Sequence, residues 1–198
     1  MDELCSRDAD LRRVVQRHGP PPLWARRPNF ATLVRIILEQ QVSLASAESI
    51  FRRLQGAVQR VAPERMARLS LAEIRRLGFT RQKARYCLDL ARLIEAGGLN
   101  LSRLSRADDG AARAALLEVR GIGPWTADIY LLMALRRSDV WPDGDLALAN
   151  AVRGVKRLRK RPTTERLRRI ASAWKPWRSV AARILWHHYL SERSFSHE

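Results

Sequence analysis

The chain has 198 residues, long enough for one domain or two small lobes with a real core, and 37 basic against 20 acidic side chains give it a net charge of +17. An apolar fraction of 46% is ordinary for a globular protein, and no run nears the ~20 apolar residues of a membrane span. The charge points to a polyanion, nucleic acid first, with an arginine-biased composition as the other account.

The first ten residues lack the basic and apolar regions of a secretory signal, so a cytoplasmic location is expected. Only Cys5 and Cys87 occur, which excludes a disulfide framework and any four-cysteine metal or iron–sulfur site. Residues 1 to about 18 read as one polar helix with Leu4, Leu11, Val14 and Val15 inward, stopped by His18-Gly19-Pro20-Pro21-Pro22. Trp24 then anchors a short connector. Asn29 is a candidate N-cap for a helix whose Phe30, Leu33, Val34, Ile37 and Leu38 recur at helical spacing. That helix ends at Glu39-Gln40-Gln41-Val42-Ser43, and Ser43 or Ser46 caps the next, with Ile50, Phe51 and Leu54 buried. Residues 63–69 and 71–77 read as short helices, and Gly78 ends the second. Gly78-Phe79-Thr80-Arg81-Gln82-Lys83-Ala84 opens a helix over 81–96 and echoes a second, stronger stretch downstream.

That stretch is Gly121-Ile122-Gly123-Pro124-Trp125-Thr126-Ala127. A helix over 111–119, capped by Asp108 or Asp109, leads into it. Two glycines around one aliphatic residue make a tight turn, and Pro124 suits the first turn of a following helix that carries Ile129, Leu132, Met133 and Leu135. The N–H groups of such a hairpin suit a phosphate. After a loop, Asp145 precedes an apolar helix through Leu146, Leu148 and Val152. Residues 153–169 hold nine basic side chains against one acid, either a solvated face or a phosphate contact. Helical spacing returns from Trp174 to Tyr189, and no strand is evident.

Gly-Ile-Gly-x-Trp-Thr-Ala, then Pro142-Asp143-Gly144-Asp145-Leu146, resembles the helix-hairpin-helix DNA glycosylases, specifically the 3-methyladenine DNA glycosylase II branch. Ile37-Leu38-Glu39-Gln40-Gln41-Val42-Ser43 and Trp174-Lys175-Pro176-Trp177-Arg178-Ser179 are similar to two further blocks of that branch, so the likeness runs from about Phe30 to Trp186. It implies an all-α, two-lobed fold with the active-site cleft between lobes: a central lobe over 28–141 containing the hairpin, and a second over 1–27 and 142–198. An extra β-rich N-terminal domain of longer relatives is absent from this stretch.

The resemblance also implies roles. Asp145 is the catalytic carboxylate, with Asp143 its local competitor; as bare sequence Asp145 also reads as a helix cap, and one side chain can do both. Trp125 and Trp186 border the base pocket, where stacking selects electron-poor bases. Gln41 is the wedge filling the gap left by a flipped nucleotide, while Gln40 better fits an amide tying two helix ends together. Gly121, Gly123 and Thr126 belong to the phosphate-binding hairpin. The carbonyls of Leu117, Val119 and Ile122 match positions holding Na+ or K+ in relatives; no other cofactor is required. Ile129 stands where a characterised branch has an aromatic, which implies a more open pocket. Relatives that also cut the backbone carry lysine at the Trp125 position. The implied activity is therefore a monofunctional glycosylase that excises alkylated bases from double-stranded DNA in base excision repair. Its partner is damaged duplex DNA, no membrane is involved, and a monomer is expected. The alternative is a non-catalytic helix-hairpin-helix DNA-binding module.

Overall fold

Thirteen helices and no strand make up the regular structure among the described residues of the computed structural model, which are 1–195, with side chains to Arg193. Contact between elements divides the chain into two units, Arg26–Leu135 and Met1–Ala25 with the chain from Arg136 onward.

The first unit contains α3 (Phe30–Glu39), α4 (Leu44–Val58), α5 (Pro63–Met66), α6 (Leu71–Arg76), α7 (Arg81–Glu95), α8 (Leu101–Arg106), α9 (Asp109–Leu117) and α10 (Pro124–Met133). Side-chain caps set most of the starts: Asn29, Ser43, Ser70, Thr80, Asn100 and Asp108 each accept from a backbone N–H in the following first turn. Ser43, not Ser46, therefore caps α4, and Asp108, not Asp109, caps α9. Helix α8 starts at Asn100, whose side-chain Oδ1 accepts from Arg103 N. Helix α10 is the core of this unit. Seven consecutive residues, Thr126 to Leu132, are buried, so no face is left to water.

The second unit contains α1 (Asp2–Arg7), α2 (Ala9–His18), α11 (Leu146–Val155), α12 (Thr164–Ser172) and α13 (Arg178–Phe195). The single N-terminal helix expected from periodicity is two. Asp8 takes an extended conformation between them, and its carboxylate accepts from Asp10 N and Leu11 N to start α2. A local cap there outcompetes a continuous helical ladder. Helix α13 packs on α2 and α11, with Ala181, Ala182, Ile184 and Leu185 fully buried. Residues 136–141 group with this unit, not with the hairpin, because Ser138, Asp139 and Val140 are bound to the start of α13.

Candidate active site

The loop before α11 is fixed from both ends. Gly144 sits at φ +80 in a turn closed by Asp145 N donating to the Pro142 carbonyl at 3.4 Å, a place where a side chain would be strained. Upstream, Ser179 N donates to the Ser138 carbonyl at 3.0 Å, and the Ser179 hydroxyl accepts from Val140 N and donates to its carbonyl. Arg178 grips Asp139 through Nε and Nη2 at 2.7 and 3.0 Å, a bidentate fork of the strong kind. Trp141 lies against Trp174, ring centroids 5.5 Å apart.

This frame delivers Asp145, 9% exposed, to the N-terminus of α11. Its Oδ1 accepts from Leu148 N at 2.8 Å and from the Trp186 indole N–H at 3.3 Å. Asp145 and Trp186 are thus brought together, with the Trp186 ring 8% exposed. Asp143 is held differently, its Oδ2 accepting from Arg168 Nε at 2.8 Å.

In the other unit the hairpin is equally braced. Gly121 has φ +91, and a Cβ there would lie 2.3 Å from Cγ of Tyr86 on α7. Only glycine fits that approach. Gly123, the N-cap of α10, has φ −90 and open space where a Cβ would go. Arg113 of α9 holds Asp128 of α10 by Nε and Nη2 at 2.7 and 3.3 Å, clamping the two hairpin helices together. Thr126 is 1% exposed and its hydroxyl accepts from Gln40 Nε2 at 2.8 Å. What Thr126 can offer a phosphate is therefore its backbone N–H and not its hydroxyl. The Val119 carbonyl accepts from Ile122 N at 3.0 Å, and both side chains are buried. Ile129 is 2% exposed, and Trp125 is half-buried.

Gln40 and Gln41 divide their work as neighbours. Gln40 Nε2 donates to the Gly121 carbonyl at 3.0 Å as well as to Thr126, tying the end of α3 to the hairpin. Gln41 is exposed with φ +56, a left-handed conformation uncommon for this residue type. Below it, Lys83 Nζ donates to the Leu38 and Gln40 carbonyls at 2.7 Å each, capping the negative end of α3. Burial pushes the Lys83 ammonium below its usual range.

Residues 34–177 match the model of the HhH-GPD superfamily base excision DNA repair proteins. The chain belongs to that superfamily. It is 31% identical over 169 residues to the DNA-3-methyladenine glycosylase of Bacillus subtilis, covering 79% of this chain and 56% of that protein. The DNA-3-methyladenine glycosylase 1 of Schizosaccharomyces pombe is 27% identical over 180 residues, covering 89% and 79% respectively. The structure of a Schizosaccharomyces pombe 3-methyladenine DNA glycosylase in complex with abasic DNA, 27% identical, superposes with a TM-score of 0.83 over 90% of each chain. The DNA-3-methyladenine glycosidase of Bacillus halodurans gives 0.78, at 27% identity, over 98% of this chain and 89% of that one. The chain spans 64% and 56% of the length of two Bacillus subtilis relatives.

Within this superfamily member, several supporting residues escape a reading of motifs. The Arg113–Asp128 fork joins residues 15 apart with no shared pattern, and Lys83 reaches carbonyls more than 40 residues upstream. Arg178 and Ser179 did carry a signal, since they end the last family-like block; the structure gives its reason, the fastening of the loop that bears Asp145.

Proposed function

We propose that the chain is a monofunctional DNA glycosylase that rotates a damaged nucleotide out of the duplex and hydrolyses the bond between an alkylated base of the 3-methyladenine type and its sugar. Superfamily membership and relatives named 3-methyladenine glycosylases support the reaction class. The observation that carries it is Asp145: a buried carboxylate whose Oδ1 accepts from a helix N-terminus and an indole N–H. Loss of the base builds positive charge on the sugar, which a preorganised carboxylate stabilises while it takes a proton from the attacking water. An alkylated purine is already cationic and leaves without a second acid. Trp125 supplies a face on which such a base stacks. At the same position lysine would be needed for a Schiff base, so water is the nucleophile. Gln41, exposed and held in a strained backbone conformation, is the wedge. Hairpin N–H groups of Gly121, Gly123 and Thr126 hold a phosphate, and the Leu117, Val119 and Ile122 carbonyls are a place for Na+ or K+.

Asp145→Asn tests this directly. The hydrogen bonds from Leu148 N and the Trp186 indole are accepted by Oδ1, which asparagine retains, so the cap should hold, and a melt checks that the variant is folded. Excision of 3-methyladenine should fall on the order of 10²–10³-fold with lesion binding preserved. Borohydride during wild-type turnover should trap no protein–DNA adduct. Excision by Asp145→Asn at near the wild-type rate refutes the assignment, and an efficient trap refutes the water mechanism.

A further inference from the structure

Away from Asp145, the end of α2 meets α13 in a cluster that base removal does not use. His18 is in the last turn of α2, and His188 and Glu192 are four apart on one face of α13. We propose that His18, His188 and Glu192 bind one divalent transition-metal ion of the zinc class, with water as the fourth ligand.

The geometry is that of a metal site before the ion arrives. Nδ1 of His188 lies 3.4 Å from Nε2 of His18, and that Nε2 lies 3.5 Å from Oε1 of Glu192. One ligating atom from each residue falls within 4.8 Å of the other two. Bonds of about 2.0–2.2 Å to a tetrahedral zinc ion give ligand–ligand edges of about 3.3–3.5 Å, so the two short edges already have the length required. Two imidazoles and a carboxylate are also a donor set that zinc favours, and three protein ligands leave one open position.

Protonation agrees. Burial is the main cause holding both His18 and His188 below the usual imidazole range, so both rings are neutral near pH 7, the form that ligates. Two neutral rings in contact share one N–H; on metal binding the donor ring moves that proton to its other nitrogen, and none need leave the protein. The ligands also sit where a cation is welcome. Gly19 N donates to the Val15 carbonyl at 2.9 Å as α2 ends, and the negative end of that helix dipole faces outward there. The Glu192 side chain is 41% exposed and His18 is 6% exposed, while the Oε1 that faces His18 is itself covered, so the donors converge inside the cluster. Arg17 is the competitor: its Nη2 is 3.2 Å from the same Glu192 oxygen. With a side chain 65% exposed, it can release the carboxylate at little cost. The ion would fasten the end of α2 to α13, two residues beyond Trp186.

Metal-stripped full-length protein titrated with Zn2+ against a chromogenic chelator should take up one equivalent and melt at a higher temperature. Co2+ should give the intense visible bands of a four-coordinate site. His188→Gln and Glu192→Gln should each weaken binding at least ~10-fold. His187→Gln should bind normally, since that ring lies outside the triad although its centroid is 6.1 Å from that of His18. Melting without metal establishes that each variant is folded. Should one fail to fold, ring resonances of the unaltered protein decide: Zn2+ should shift those of His18 and His188. No uptake of Zn2+, uptake indifferent to both triad variants, or shifts confined to other histidines would overturn the proposal.

Discussion

Asp145 and Trp186 stand 41 residues apart, and their contact turns a helix cap into something more specific. A cap needs only one oxygen facing a backbone N–H, which asparagine or serine would provide equally. An indole N–H aimed at the same oxygen fixes the carboxylate's rotation as well as its position. Trp186 carried a base-pocket role by resemblance, and its burial adds the role of positioning Asp145. Trp186→Phe separates the two, because it keeps an aromatic face and removes the donor. A hydrogen bond to a charged group is worth about 1.5–3 kcal/mol, so excision should fall roughly 10–100-fold. The loss should be the same for cationic 3-methyladenine and neutral hypoxanthine, since it acts through the carboxylate. Rates measured on both lesions check this; a loss confined to the cationic base would assign Trp186 to stacking instead.

Between elements, the two hairpin glycines do different things although the sequence prints them as a pair. Gly121 is required by the fold: its φ and the Tyr86 ring both forbid a Cβ, so Gly121→Ala should cost on the order of 3 kcal/mol. Gly123 has neither constraint. Gly123→Ala should cost no more than about 1 kcal/mol, from the weaker cap, yet weaken DNA binding if a phosphate approaches there. Denaturant melts and binding curves of the two variants would show it, and equal destabilisation by both would contradict it. Gly78 repeats the Gly121 conformation at φ +100, each glycine preceding a helix, which accounts for the echo between the two stretches. At the other end of the chain Asp8 joins α1 and α2 to distant elements, accepting from Lys156 Nζ at 2.8 Å and Trp174 Nε1 at 2.7 Å. Burial works to raise its pKa, but those bonds and the Leu11 N–H outweigh it and hold the carboxyl below its usual range. A depressed folded-state value stabilises above the unfolded pKa near 3.8 and is lost as pH falls through the folded value. Asp8→Asn, which preserves the cap, should therefore destabilise the fold at pH 7, and the difference should shrink as the pH falls through the folded value. A difference that stays constant across a pH series of melts would mean the charge is not responsible. Asp8 also shows where the sequence stops being legible. Caps, glycines and apolar spacing locate nearly every helix because they act within four residues. The break at Asp8, the Gln40 tie to Gly121 and the Lys83 cap on α3 depend on partners that only the folded chain brings near.

For the whole molecule, the surplus of charge has a particular make-up. Many of the carboxylates already face a cation: Glu39 with Arg26, Asp128 with Arg113, Asp139 with Arg178, Asp143 with Arg168, and Asp8 and Asp10 with Lys156. The remaining field is therefore that of unneutralised arginines. Part of it gathers on α12, where Arg166 and Arg169 line an open surface depression with Ile170. A solvated charge run and a phosphate-binding surface look alike in sequence, but they differ in thermodynamics. Each phosphate neutralised releases counterions and adds about −0.9 to the slope of log K against log salt concentration. Binding to undamaged duplex should show a slope of about −3 or steeper, the mark of several neutralised phosphates. Replacing Arg166 and Arg169 by alanine should make it shallower by about 2, with a uniform loss of affinity across sequences. Both residues lie on the outside of α12, so the melting temperature should hold. A double variant with an unchanged slope would return residues 153–169 to the solvent, and a wild-type slope near zero would remove nucleic acid from the account of the +17 charge altogether.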